Sequence, residues 1–527
     1  MLSFEHISFC YPGAVDPALT DVTFTVAPGE HVVLLGCNGS GKSTLAHLAN
    51  GLLLPTEGEV RVNGLTTNEK ATIRELRAQV GVIAQNPDNQ IVSTTVLDEV
   101  AFGPENLGFD RERIAKDVAN SLAALGLTGF EERDPNTLSG GEKQRLIIAG
   151  LIAMNPDFLV LDEPTSMLDA VGREEVRDAV TNLHGQGHGI LHITHDLSFA
   201  HEADRALVLM EGRLMFDGHP NMLMGDDDLL VAYGLKVGQG DKEEDMFRQV
   251  SGRRLLSSCG SPARPRVKPG VTRRTEVTKD PEVTKDPEVT KDPEMTSAEL
   301  GMTRSGESLS LCLNDVEYSY NANTEARREV LKGINLDIAP GSYTLISGGT
   351  GTGKSTLLRI LAGLLEPTTG KATFSNGDKV FPSSVGIVFQ HPESQLFAKT
   401  IEEEIAFGPN NLGLLTTNDI RNEVVTGALN AVGLDPKIFL ARSPFTLSGG
   451  EMRRVAIASI LAMGLPFLLL DEPTAGLDAQ GRAFVHHLIK HLVWAGVGVV
   501  VVSHDVEEFE PQAQTHLILK DGKLWRS

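Results

Sequence analysis

Lys42 and Lys354 each close the pattern GxxxxGK[ST], in GCNGSGKST (Gly36 to Thr44) and GGTGTGKST (Gly348 to Thr356). Such a run wraps backbone N–H groups around phosphate oxygens; its glycines allow close approach and positive φ. Lys42 and Lys354 would reach the outer phosphates of a nucleotide, while the hydroxyls of Ser43 and Ser355 would face Mg²⁺. The phosphate-facing sets are Gly36, Asn38, Gly39, Gly41, Lys42, Ser43 and Thr44, and Gly348, Thr350, Gly351, Gly353, Lys354, Ser355 and Thr356. Further along, two apolar runs end in paired acids, FLVLDE (Phe158 to Glu163) and FLLLDE (Phe467 to Glu472). Asp162 and Asp471 are placed to hold Mg²⁺ through water, and Glu163 and Glu472 to polarise an attacking water. Before each acid pair stands LSGGE, at Leu138 to Glu142 and Leu447 to Glu451. Ser139 and Ser448 can cap the helix that follows, whose first amides and dipole favour a phosphate.

The two sets run in the same order, with Glu163 and Glu472, like His195 and His504, 309 positions apart. That is a tandem duplication. A chain of 527 residues exceeds one core, and the repeat divides it into a first domain at 1–236, a linker at 237–307 and a second domain at 308–527. No apolar run approaches the ~20 residues of a membrane helix, and Met1 to Glu5 lacks the basic-then-apolar order of a secretory signal. The expected compartment is therefore the cytoplasm. Cys10, Cys37, Cys259 and Cys312 show no metal-ligand spacing, which leaves reduced thiols as their reading. A formal charge of −23 argues against nucleic acid as a partner, because that affinity comes from Lys and Arg neutralising phosphates.

The elements that must carry these residues are legible as runs. His31 to Leu35 and Tyr343 to Ser347 are buried strands feeding the glycine loops, and helices are expected at Leu45 to Leu53 and Leu357 to Leu365. Leu2, Phe4, Ile7 and Phe9 alternate; Val22 to Val26, Leu311 to Tyr320 and Ile334 to Ile338 read as further strands. Phe158 to Leu161, Ile190 to Thr194, Phe467 to Leu470 and Val497 to Ser503 are near-continuous apolar runs, suited to a parallel sheet covered on both faces. The linker holds VTKDPE three times, from Val277 to Glu294. Its regular prolines forbid a continuous helix; as a flexible coil, ~70 residues would span about 45 Å.

With Leu168-Asp169 and Leu477-Asp478 after the acid pairs, the whole chain outside the linker resembles the nucleotide-binding domains of the ATP-binding cassette (ABC) superfamily. The resemblance implies an α/β fold of two tandem P-loop NTPase domains, each with a mainly parallel core sheet, an antiparallel β subdomain and an α-helical subdomain. It implies ATP and Mg²⁺ as ligands and ATP hydrolysis as the activity. It also implies composite sites, in which Lys42 shares a site with Ser448, Gly449 and Gly450, and Lys354 with Ser139, Gly140 and Gly141. Gln85 and Gln390 resemble the glutamine that meets Mg²⁺ and water, His195 and His504 the histidine that touches the γ-phosphate, and Tyr11 and Tyr320 the aromatic that stacks on adenine.

QNPDNQ…AFGPENLG (Gln85 to Gly108) and QHPESQ…AFGPNNLG (Gln390 to Gly413) are similar to the ATPase subunits of energy-coupling factor (ECF) importers for vitamins or Co²⁺/Ni²⁺. LSGGEKQR and LSGGEMRRVAIA even resemble the two different subunits. This implies an integral membrane transporter subunit and a substrate-binding membrane protein as partners, and a peripheral place on the cytoplasmic face of the membrane. Other readings are a tandem ATPase of a sugar importer, where one site is commonly degenerate, or a ribosome-acting tandem protein, whose linker is a helical hairpin. Asp98-Glu99 and Glu402-Glu403-Glu404 are expected to meet arginines of the membrane subunit. Met167 and Cys37 depart from the family pattern; an exposed Cys37 thiol would make the first site sensitive to alkylation.

Overall fold

The computed structural model describes residues 1–13, 16–85, 87–166, 168, 170–237, 309–320, 327–349, 351–391 and 394–527. The VTKDPE linker, Thr350, Met167 and Asp169 lie outside them. Each half is built on a six-stranded sheet. In the first half the order is Arg213–Gly218, Arg205–Met210, His31–Leu35, Gly189–Ile193, Phe158–Asp162 and Val80–Ile83, all parallel except the first. In the second it is Gly386–Val388, Phe467–Asp471, Gly498–Val502, Tyr343–Ser347, Thr515–Lys520 and Lys523–Arg526, parallel except the last. The central strands are buried along their whole length, as continuous Val/Ile/Leu runs require.

Against each core sheet lies an antiparallel one: Leu19–Val26, Leu2–Phe9, Glu57–Val62 and Leu65–Thr66 in the first half, and Arg328–Ile338, Leu311–Tyr320 and Thr369–Phe374 in the second. Phe4 and Ile7 are three positions apart yet both buried. The strand solves this with a register shift between them and a left-handed His6 (φ 50), and the second half repeats the device at Asp315 (φ 48). A one-residue insertion thus keeps both apolar sets on one face.

Three helices pack together against the core sheet in each half. Val96–Leu107, Arg111–Ala124 and Gly140–Met154 share one apolar cluster, as do Ile401–Asn411, Asn418–Ala431 and Gly449–Leu461. Their starts are set by side-chain caps from Thr95, Asp110 and Ser139, and from Thr400, Thr417 and Ser448. Among the described residues no helix is long and apolar enough to cross a membrane.

Some boundaries differ from the sequence expectation. The helices after the glycine loops are Lys42–Ala49 and Lys354–Leu361. They begin earlier because the lysine is itself the first helical residue, and they stop early because Gly51 and Gly363 turn the chain at positive φ. Thr194 and Ser503 fall just past their strands, at the loop end where polar groups are useful.

Candidate functional site

Both glycine loops are formed. A Cβ on Gly36 would stand 2.3 Å from Leu209 O, and one on Gly348 2.5 Å from Leu519 O. Only glycine fits where the loop leaves the sheet. Gly39, Gly41, Gly351 and Gly353 all take positive φ. Gly41 and Gly353 head their helices with no side-chain cap, so the first N–H groups of each helix are left for a ligand. Lys42 Nζ bonds to Gly36 O (2.8 Å) and Cys37 O (2.9 Å), and Lys354 Nζ to Gly348 O (2.6 Å) and Gly349 O (3.0 Å), each ammonium folded under its own loop. Burial pulls Lys42 below the ordinary lysine range, against the opposing fields of Glu163 and Asp162.

At the end of the neighbouring strand, Asp162 is 3% exposed and its Oδ1 has no hydrogen-bond partner. Burial raises its pKa, and the exposed Ser43, hydrogen-bonded to it, works the other way. Asp471 and Ser355 repeat the relation. One buried carboxylate beside one hydroxyl, with no group of three His, Cys, Asp or Glu among the described residues, fits a Mg²⁺ ion whose other ligands are water and phosphate. It does not fit a metal held by protein alone.

Glu163 (φ 51) and Glu472 (φ 47) follow directly, both in the left-handed region and both buried. That conformation costs of order 1–3 kcal/mol for a residue with a side chain. A backbone bond from each glutamate N–H to the adjacent strand, at Ile193 O and Val502 O (2.9 Å each), holds it there. The turn aims the carboxylate at a histidine: His195 Nδ1 is 2.7 Å from Glu163 Oε2, and His504 Nδ1 3.0 Å from Glu472 Oε2. Tyr11 and Tyr320 stand exposed above the loops, each hydroxyl 3.1 Å from Thr44 Oγ1 or Thr356 Oγ1.

The halves meet at these loops. Asn38 N donates to Asp478 Oδ2 (2.8 Å) and Asn38 Nδ2 to Gly476 O (3.0 Å). Exposed Gln85 points its amide at the same Gly476. A small cleft of about 30 Å³ lies along the seam, lined from one side by Thr194, His195 and Arg173 and from the other by Glu472, His504 and Arg482. Ser139 and Ser448 complete reciprocal capping boxes with Glu142 and Glu451, so their hydrogen bonds stay within their own helices.

A profile of the ABC transporter family matches residues 19–166 and 331–475. The chain belongs to the ABC transporter family. Those stretches are its two ATPase domains, and the chain is an ATP-binding component. A provisionally named ABC transporter ATP-binding protein of Bifidobacterium longum is 37% identical over 540 residues, which take in 96% of this chain but 63% of that protein. Another, from Caldanaerobacter subterraneus, is 34% identical across 99% of this chain and 90% of its own length. An energy-coupling factor transporter ATP-binding protein of Lacticaseibacillus paracasei is 45% identical over 250 residues, 47% of this chain and 90% of its own.

Three features of this ABC chain bear on the sequence reading. Cys37 is not poised at the mouth of its loop: Sγ lies against Tyr233 O (3.6 Å) and Gly234 O (3.3 Å), and burial, then Asp478, raises its pKa. Glu99 Oε2 accepts from Val92 N (2.9 Å) and Ser93 N (2.7 Å), and Glu404 Oε2 from Phe397 N (2.9 Å) and Ala398 N (2.7 Å). Through Oε2 those two carboxylates shape the loops ahead of their helices; Glu402 faces Arg421 at 3.2 Å, leaving Asp98 and Glu403 on the exposed face. The difference between LSGGEKQR and LSGGEMRR is structural as well. Arg453 donates to Gln390 O, Glu472 O and Pro473 O, whereas Gln144, its equivalent, is buried with Nε2 unpartnered. Arg482 and Glu508, described below, carry no motif and were not singled out by the sequence.

Proposed function

We propose that this chain is the energising ATPase of an ECF-type importer, replacing two separate ATPase subunits, with two composite ATP sites along its seam. Lys42 and Lys354 bind the β- and γ-phosphates, and Tyr11 and Tyr320 take the adenine. Ser43, Asp162 and Gln85 hold Mg²⁺ at one site, and Ser355, Asp471 and Gln390 at the other. Bound there, Mg²⁺ supplies neutralisation of the charge that develops on the phosphates. Glu163 and Glu472 orient and polarise the attacking water, and His195 and His504 hold the γ-phosphate side. Ser139, Gly140 and Gly141 close the Lys354 site, and Ser448, Gly449 and Gly450 the Lys42 site, the serines by capping each helix within their own boxes and the glycines by offering its first amides.

The contact of Asn38 with Asp478 and Gly476 carries the composite-site reading, because it brings a phosphate loop of one half against the loop after the acid pair of the other. The importer reading is supported by the two glutamine segments. In both, a second glutamine folds the loop back on its strand: Gln90 bonds Ala84 N and Val82 O, and Gln395 bonds Phe389 N and Ile387 O. Beyond it, Val92, Phe102, Phe397 and Phe407 stand 49% to 64% exposed. Such an apolar surface suits an integral membrane subunit. The partner thus meets the chain on the cytoplasmic face, and its cargo is a vitamin or Co²⁺/Ni²⁺.

Affinity-tagged full chain expressed with its native membrane is the test. Glu163→Gln and Glu472→Gln should each trap ATP in a closed state and retain membrane proteins through Phe102 and Phe407. Wild-type turnover in the double variant would refute the glutamate roles; purification free of any membrane protein would refute the importer reading.

A further inference from the structure

Arg482, on the first turn of the helix Ala479–Trp494, crosses the seam: its Nη2 lies 3.4 Å from His195 Nε2. A guanidinium has donors and no acceptor. Nε2 of His195 must therefore accept, which places the ring proton on Nδ1, an atom 2.7 Å from Glu163 Oε2 but not aligned with it as a hydrogen bond. The arginine thus selects the tautomer that faces the first-half glutamate.

Arg482 is itself held. Its Nε donates to Leu477 O at 3.1 Å, and Nη1 lies 3.9 Å from Glu508 Oε2. Glu508 also accepts from Thr474 Oγ1 at 2.7 Å and meets His486 Nε2 at 3.2 Å. Burial works to raise the Glu508 pKa, but His486, Arg482 and Thr474 together hold it below the usual carboxylate range, so it stays charged.

The mirror arm is built differently. At the equivalent positions of the first half stand Arg173 for Arg482, Ser198 for Glu508 and Arg177 for His486, the cap bonds Ser198 N to Asp196 and Glu508 N to Asp505 fixing the register. Arg173 lines the same cleft, but Ser198 offers it a hydroxyl in place of a carboxylate, and that hydroxyl accepts from Arg177 Nη2 at 3.0 Å.

We propose that Arg482 is a positioning residue for ATP hydrolysis at the Lys42 site, acting across the seam through His195, and that its Glu508 anchor makes this arm stronger than the Arg173 arm. The two sites are then unequal by construction, with the Lys42 site ordered by the opposite half. This rests on reading His195 as the histidine of that site.

Steady-state ATPase of the full chain separates the two claims. Arg482→Ala should lower kcat about tenfold, the scale of one lost orienting contact, with KM within about twofold; Arg173→Ala should cost less than about threefold. In a His195→Ala background Arg482→Ala should have no further effect, while in a His504→Ala background it should keep its full factor. Single-turnover assays extend the range if the histidine variants are slow. Arg482→Lys should restore part of kcat, and Glu508→Gln, which preserves shape, should lower it in the same direction as Arg482→Ala. A full Arg482→Ala factor without His195, or equal effects of Arg482 and Arg173, overturns the proposal. Unchanged kcat in His195→Ala overturns instead the reading of that histidine.

Discussion

The carboxylate of Asp478 accepts the backbone N–H of Asn38 at 2.8 Å through Oδ2 and caps the helix Ala479–Trp494 through Oδ1 at Gly481 N, also 2.8 Å. One side chain therefore serves both an inter-domain contact and an intradomain one. Asp478→Asn keeps a good cap but removes the charge, so ATPase should fall several-fold while thermal stability changes by less than about 0.5 kcal/mol. Asp478→Ala should lose the activity and about 1 kcal/mol besides. A fall in stability without a fall in ATPase would show the contact across the seam to be idle.

His192 is fully buried between the core strands with neither ring nitrogen partnered, and burial pulls its pKa down to about 3; His31, stacked 5.8 Å away, is pulled down to about 4. Burial is the main cause for both. His184 and Arg177 add to the lowering, at His31 and His192 respectively, and Asp204 opposes it at His31. Since the unfolded chain takes up these protons near pH 6.5 and the folded one does not, stability is full above that pH and falls as pH drops. The slope is about 1.36 kcal/mol per unit per histidine, or roughly 2 kcal/mol from His192 by pH 5. The second half has Val501 at the matching place. His192→Val should raise stability at pH 7 and flatten the acid limb in urea titrations; an unchanged limb would place the acid sensitivity elsewhere.

Arg453 is 7% exposed and supplies three carbonyls. Arg453→Gln copies the first half's Gln144 but strands those acceptors, and should cost about 2–3 kcal/mol, read as a lower urea midpoint. Gln144→Arg is the converse test: if it gains stability, the first half's unpartnered amide is the weaker design.

Cys37, turned against Tyr233 and Gly234 with a raised pKa, should react slowly. In a chain with Cys10, Cys259 and Cys312 changed to serine, iodoacetamide at pH 7.5 should leave ATPase intact over a time that fully modifies a free thiol. Rapid loss that ATP prevents would show the thiol to be open to the site.

Motif residues were legible because their chemistry is local. Gly36, Lys42 and Ser43 sit within one loop, and Ser139 caps its own helix, so spacing alone placed them. Strands such as Phe158–Asp162 were legible for a related reason, since a strand buried on both faces leaves a continuous apolar run. His6 and Asp315 were not, because a bulge hides in what looks like broken alternation. Arg482 and Glu508 escaped too: each makes sense only once His195, 287 positions away from Arg482, has been brought beside it. Glu99 and Glu404 misled, as a carboxylate satisfied by nearby amides reads in sequence like one waiting for a partner.

Asn38 and Asp478 belong to one polypeptide, so every molecule carries one of each half in fixed one-to-one stoichiometry. Two copies of either half could not reproduce this seam: paired with itself, the first would set Ser198 where Glu508 stands, and the second would bring two anchored arginines to one cleft. Joining the halves lets such differences be inherited as a matched set, and a mutation in one half is always judged against the same companion.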